Sequence, residues 1–225
     1  MWYNIYITAK HYVLGNVNTR NLIGAIMKKS EKTESTIAKI IKAAMNEFGA
    51  NGYVCGKVNN ICKSGINKGL IYHNFKDKDE LYLKCLEKSC ETLVKIITES
   101  GSSSDLLRYM SVRISYFKEY PNEAHILFEA ILQPQEHLRN EIQKILQPFE
   151  DVNEKIRRSV VSSVKLRDGI TEEDAMEYFR QMQHMFNGYF AARNIPFDEM
   201  LNKHEAYLPK LLNIMLYGIA KGGNE

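Results

Sequence analysis

The sequence predicts an all-α protein, on three observations. Apolar residues recur at three- and four-residue spacing through most of the chain. Alternating β-branched runs are scarce. The 5 prolines and 13 glycines fall mainly between the periodic stretches, where they punctuate helices. At 225 residues the chain is long enough for a sizeable core and one or two domains. The 44% hydrophobic and 25% charged content is that of an ordinary globular protein.

Residues 1–26 show no clear helical period and precede a second methionine, Met27. Two readings stay open: Met27 is the natural start, or the first stretch is an extension that packs on the domain. An intact mass of the native protein decides between them. The first periodic helix runs from about Glu34 to Gly49, with Ile37, Ile40, Ile41, Ala44, Met45 and Phe48 as its stripe. Gly49 and Gly52 are expected as its stop signals.

Two short helices joined by a tight turn follow. Val58, Ile61 and Cys62 form one buried stripe, and Ser64-Gly65 interrupts it. Asn67 is the expected N-cap of the second short helix, and Leu70, Ile71 and Phe75 its expected buried face. Two helices meeting at a glycine-containing turn form the helix-turn-helix pattern. From Gly56 to Lys76 there is no Asp or Glu, while Lys57, Lys63, Lys68 and Lys76 are present with His73 between them. The net charge of +3 is too small to announce a nucleic-acid protein, so the argument rests on this local, anion-attracting stretch.

The segment from Thr33 to about Lys88, a quarter of the chain, resembles the DNA-binding domain of the TetR family of bacterial transcriptional repressors. Ile40, Ala43, Ala44, Phe48 and Gly52-Tyr53 carry the likeness, then Ile61, Ser64 to Gly69, Tyr72-His73, Phe75, Lys78 and Leu81. Where the family usually has Thr or Ser ahead of the first motif helix, this chain has Gly56, which offers no capping side chain. The resemblance implies a three-helix DNA-binding domain over residues 27–76 and a helical-bundle domain for ligand binding and dimerisation over 77–225. It also implies a homodimer in the cytoplasm whose heads read a palindromic operator in double-stranded DNA, acting as a repressor answerable to a small-molecule effector.

In a helix-turn-helix the second helix enters the major groove. Asn67 and Lys68, at its N-terminal end, are the candidates for base edges, and Gly69 allows close backbone approach. Tyr72, His73 and Lys78 are expected on phosphates, with Lys57 and Lys63 as weaker phosphate contacts. For Lys78 that role is implied by the resemblance, and it suits a cation poorly placed to stabilise the start of a helix.

That helix opens at Asp77-Lys78-Asp79-Glu80 and runs to about Ser100, with Leu81, Cys85, Leu86, Leu93, Val94 and Ile97 on its apolar side. Ser104 is the expected cap of the next. Helices are predicted at about Asp105–Tyr120, Asn122–Gln133, Gln135–Leu146 and Phe149–Leu166, punctuated by Pro121, Pro134 and Pro148. Lys165, Arg167 and Gly169 form a stop signal, and Thr171 with Asp174 a capping box. The helix to about Asn194 and the last one, Asp198 to Ala220, are apolar on several faces, so a second copy is expected to cover them. Phe179, Phe186, Tyr189, Leu208, Leu212 and Met215 are the candidate dimer contacts. Tyr109, Arg113, Phe117, His125, Phe128, Phe149, Tyr178, Met182 and Phe186 are the candidate lining of the ligand pocket.

No catalytic constellation, cofactor motif or metal-ligand spacing stands out. The 6 histidines are scattered and none has a Glu three residues before it. The 4 cysteines form no C-x-x-C pair and read as free thiols. No apolar run approaches the roughly 18–20 residues that span a bilayer. The competing reading is a helical small-molecule-binding protein or an enzyme whose basic head is incidental.

Overall fold

The computed structural model describes residues 17–102, 105–193 and 195–219, with side chains of 17–32, 197 and 219 left aside. It is all-α, and no β-strand occurs among the described residues. The elements are α1 (Val17–Cys55), α2 (Val58–Cys62), α3 (Lys68–Asn74), α4 (Lys78–Glu99), α5 (Leu106–Glu119), α6 (Pro121–Leu132), a 3-10 turn (Glu136–Leu138), α7 (Arg139–Ser162), α8 (Glu172–Ala191) and α9 (Phe197–Ile219). The chain divides into two compact units, residues 1–42 and 43–225. The first holds the N-terminal part of α1. The second holds the rest of α1 and everything after it.

Within the second unit α4 is the central beam. Leu81, Tyr82, Cys85, Leu86, Ser89, Cys90, Leu93 and Ile97 are all buried along it, against α5, α6 and α7. Burying a leucine side chain is worth about 1.5–3 kcal/mol, so this stripe holds the bundle together. Asp77 caps α4 by accepting from the Glu80 N–H at 2.9 Å, and Asp79 and Glu80 fill its first turn. Helix α7 packs on α8, which also meets α6 and α9. Burial pushes the Cys85 thiol up to about 12 and the Cys90 thiol up to about 11, so neither supplies a thiolate at neutral pH.

Several boundaries differ from expectation. Gly49 lies within α1, whereas Gly52 does interrupt it as expected: with φ 68° and ψ 177° it ends the continuous helix, and one further turn runs to Cys55. Both glycines are also points of close approach to α6. A Cβ on Gly49 would lie 2.6 Å from the Asn122 Cα, and one on Gly52 2.7 Å from the Glu129 Oε1. The two helices expected around Pro148 are one, α7, because a proline inside a helix removes a single backbone bond and the flanking turns continue. That helix ends at Ser162, ahead of the Lys165–Gly169 signal, which falls in a loop where Gly169 has φ 85°. Pro121 sits in the first turn of α6, where its missing N–H costs nothing. Asp105 caps α5 through the Arg108 N–H at 3.1 Å, and the expectation for Ser104 lies outside the described residues. The Thr171–Asp174 capping box is fully formed. The expected end of α9 at Ala220 and the start of the chain, residues 1–16, also lie outside the described residues.

Candidate nucleic-acid interface and ligand cavity

The helix-turn-helix is built by a small set of local contacts. Helix α2 packs on α3, with Ile61 and Ile71 buried between them. The turn is closed by the Gly65 N–H donating to the Cys62 carbonyl at 3.0 Å, and Gly65 takes φ 87°, a conformation that disfavours any side chain. Asn67 Oδ1 accepts from the Gly69 N–H at 2.7 Å and so starts α3. That bond uses one lone pair of the exposed Asn67 oxygen, and the second lone pair and the amide N–H groups remain to accept from or donate to a base edge.

Helix α3 turns Ile71 and Phe75 inward. Asn67, Lys68, Gly69, Leu70, Tyr72 and His73 are exposed. Leu70 was expected in the buried face; it stands 39% exposed because it lies a helical step of about 100° from Ile71. A solvent-facing leucine on the reading helix is an apolar surface of the kind that meets a thymine methyl. Lys57 and Lys63 are exposed beside α2. Lys78 lies over the Tyr53 ring with its Nζ 4.4 Å from the centroid and faces the Val54 carbonyl at 3.5 Å. It therefore projects from a fixed base at the start of α4.

The missing cap at Gly56 has a structural cause. Gly56 is buried, and a Cβ there would meet the Gly52 oxygen and the Phe48 ring, each at 2.7 Å. Glu47 on α1 does the capping instead: its Oε1 accepts from the Lys57 N–H at 3.0 Å and from the Asn60 Nδ2 at 2.9 Å. Gly56→Ala is accordingly expected to lower stability. Overpacking costs about 1–3 kcal/mol, against about 0.4–1 kcal/mol gained from a stiffer unfolded chain. A thermal midpoint equal to or above the parent's would show that Phe48 moves aside at no cost.

The bundle holds a partly open cavity of about 560 Å³ between α5, α6, α7, α8 and α9. Of the candidate ligand-pocket residues, Tyr109, Arg113, Phe128, Phe149 and Met182 line this cavity. Four other candidates lie elsewhere. Phe117 forms the layer behind, edge-on to Phe128 at 4.9 Å. His125 is half-buried and bonded to the Gly49 backbone. Phe186 packs against Phe190 and His204. Tyr178 is 53% exposed. One position along a helix rotates a side chain by about 100°, and on α8 that step separates the outward Tyr178 from Phe179, which lines the cavity.

Beyond Tyr109 and Arg113, the polar part of the wall is not among the residues that the sequence singles out. Asn153 and Arg157 lie four residues apart on α7, interrupting the stripe of Phe149, Val152, Ile156 and Val160, and both are buried. That interruption was the available signal. Tyr109 donates to Asn153 Oδ1 at 2.5 Å, and Arg157 pairs with Glu150 and Glu154 and donates to Gln183 at 2.8 Å. Arg113 donates to Glu205 at 2.8 Å and lies over the Phe117 and Phe128 rings. His204 Nδ1 donates to the same Glu205 oxygen at 2.9 Å. Burial works against the Glu205 carboxylate, but Arg113 and His204 outweigh it and hold its pKa below the ordinary value.

The candidate dimer residues divide in the same way. Phe179 and Leu208 are buried, Phe186, Leu212 and Met215 are partly covered, and Tyr189 is exposed. The exposed apolar side chains of the last two helices are Tyr178, Met185 and Tyr189 on α8 and Tyr207, Ile214 and Tyr217 on α9. Their spacings of 7, 4, 7 and 3 put each trio on one helical face.

Among the described residues no group of His, Cys, Asp and Glu could hold a metal ion, and no helix is long and apolar enough to cross a membrane.

Residues 40–85 match the family model described as bacterial regulatory proteins, tetR family. No curated protein matches the chain. Solved structures do. The transcriptional regulator FadR from Bacillus subtilis, in complex with stearoyl-CoA, is similar at 20% identity and a TM-score of 0.58, over 81% of this chain and 98% of that one. SmeT, the repressor of the Stenotrophomonas maltophilia multidrug efflux pump SmeDEF, is similar at 21% identity and a TM-score of 0.59, over 85% and 93%. The fatty acid degradation regulator FadR from Bacillus halodurans is similar at 15% identity and a TM-score of 0.57, over 84% and 99%. At these identities the likeness is one of fold.

Proposed function

We infer that this chain, a TetR-family regulatory protein by its residues 40–85, is a homodimeric, effector-responsive repressor that reads a palindromic operator. Residues 27–76 would form the reading head, and 77–225 the effector and dimerisation part. The observation that carries this reading is α3. It turns Ile71 and Phe75 inward and sends Lys68, Leu70, Tyr72 and His73 outward, in a stretch without a single carboxylate. Lys68 and the Asn67 amide would meet base edges. Tyr72, His73, Lys57 and Lys78 would hold phosphates, and the Gly69 backbone would sit close to the DNA.

The 560 Å³ cavity would take an amphipathic effector, its body against Phe128, Phe149 and Met182 and its polar end toward Tyr109, Arg113 and Asn153. The relatives bear on this: one binds stearoyl-CoA and another represses a drug efflux pump. An effector that prefers the head spacing unsuited to the operator would release DNA.

The test is selection of bound duplexes from a random pool, followed by a salt titration on the winner. A palindrome bound by a dimer, with affinity falling steeply as salt rises, is the expected result. Failure to enrich any sequence, before and after unfolding and refolding to shed a co-purified ligand, would refute the reading. Tyr189→Glu with Ile214→Glu should give a folded monomer in sedimentation, since both side chains are exposed in the single chain and charge at a dimer core is strongly disfavoured. A dimer that survives both changes would place the interface elsewhere.

A further inference from the structure

We propose that Glu129 is the positioning residue through which the state of the cavity reaches the DNA-reading head. The proposal rests on the reading of the cavity as an effector site. At Gly52 helix α1 breaks, and one further turn follows, closed by the Gly56 N–H donating to the Gly52 carbonyl at 3.0 Å. The first N–H of that turn, on Tyr53, has lost its helical partner and needs an acceptor. Glu129 supplies it from α6, 76 residues away: both its oxygens accept from the Tyr53 N–H at 2.9 Å. The contact works only because residue 52 is glycine, since a Cβ there would stand 2.7 Å from the Glu129 Oε1.

Tyr53 then distributes the constraint. Its hydroxyl donates to Asp79 Oδ1 at 2.5 Å, and the Lys78 ammonium lies over its ring. Asp79 meets His137 at 3.1 Å. The last turn before α2, the start of α4 and the 3-10 turn are therefore tied at one residue, and that residue hangs on Glu129. On the other side, Glu129 sits between Phe128 and Ala130, and both line the cavity. A rotation or shift of α6 that accommodates a ligand must move the Glu129 carboxylate relative to Tyr53.

Glu129 also carries a charge that packing alone does not require. It is 9% exposed, faced by the Tyr53 N–H, the Tyr82 hydroxyl at 3.4 Å and, at longer range, Lys78, and burial disfavours its charged form. Gln or Leu would fill the same volume without a buried charge. A buried carboxylate that bridges two functional parts is a candidate for a positioning role.

The experiment uses the full chain, a selected duplex and 1-anilinonaphthalene-8-sulfonate, an apolar probe with one anionic end. In the parent protein, duplex binding should weaken the probe by about tenfold, and the probe should weaken the duplex equally. Glu129→Leu should bring that ratio close to one, with Glu129→Gln between, while probe affinity without DNA stays within about twofold. Retention of the parent ratio in Glu129→Leu overturns the proposal, as does a parent ratio of one. Should Glu129→Leu fail to fold, Glu129→Gln decides by the same ratio. A second arm needs no DNA: saturating probe should speed hydrogen exchange at the Tyr53 amide in the parent, and unchanged exchange overturns the proposal. A parent that selects no duplex, yet shows this exchange response, refutes the DNA-reading function and leaves the Glu129 link standing. A probe that does not bind overturns the cavity reading and the proposal with it.

Discussion

Replacing Arg113 by methionine lowers stability by about 3–5 kcal/mol, the range for removing one member of a buried ion pair. The loss comes less from the missing attraction than from what remains: a Glu205 carboxylate, 11% exposed, whose main partner has gone. Arg113→Met combined with Glu205→Leu should recover most of it, because two well-packed apolar side chains replace two desolvated charges. Urea unfolding of the parent, both single variants and the double variant measures this directly. A double variant as unstable as Arg113→Met would mean that the aromatic stacking of Arg113 on Phe117 and Phe128 dominates. The pH dependence has a definite sign. The pKa of Glu205 lies below the ordinary 4.5 in the folded chain, so its contribution is full above about pH 4.5. It fades as pH falls through the lower folded value, and the parent's advantage over the double variant should narrow there.

Lys68→Ala and Lys78→Ala are expected to weaken DNA binding in different ways. Lys68 opens the reading helix and is exposed, so its loss should cost about 1–3 kcal/mol on the preferred sequence and relax the choice of base at its position. Lys78 stands on the Tyr53 ring at the start of α4, off the reading helix. Its loss should weaken every duplex alike and reduce the salt slope by about one. Binding titrations on the selected duplex, a base-substituted duplex and an unrelated one, each at several salt concentrations, separate the two roles. Uniform losses across all three duplexes for both variants would remove the division between base reading and phosphate anchoring.

The all-α class and the helix-turn-helix were legible in the chain itself. Helical periodicity, the Asn67 cap, the Thr171–Asp174 box and the turn at Gly65 each depend on residues within four positions of one another. Such short-range geometry survives in a linear sequence, and so does an acid-free run from Gly56 to Lys76. What the tertiary structure decided was which way each residue faces and what lies across from it. A single step along α8 moved Tyr178 out of the cavity and put Phe179 into its wall. A single step along α3 turned Leu70 from the core toward solvent. Gly52 does interrupt α1, but Gly49, Gly52 and Gly56 are also three places where a neighbour stands close to where a Cβ would be, which the sequence does not signal. Glu129 lies 76 residues from Tyr53, and Arg113 lies 92 from Glu205. No local spacing signals partners so far apart, because only the packing of α6 on the end of α1, and of α5 near α9, brings them together.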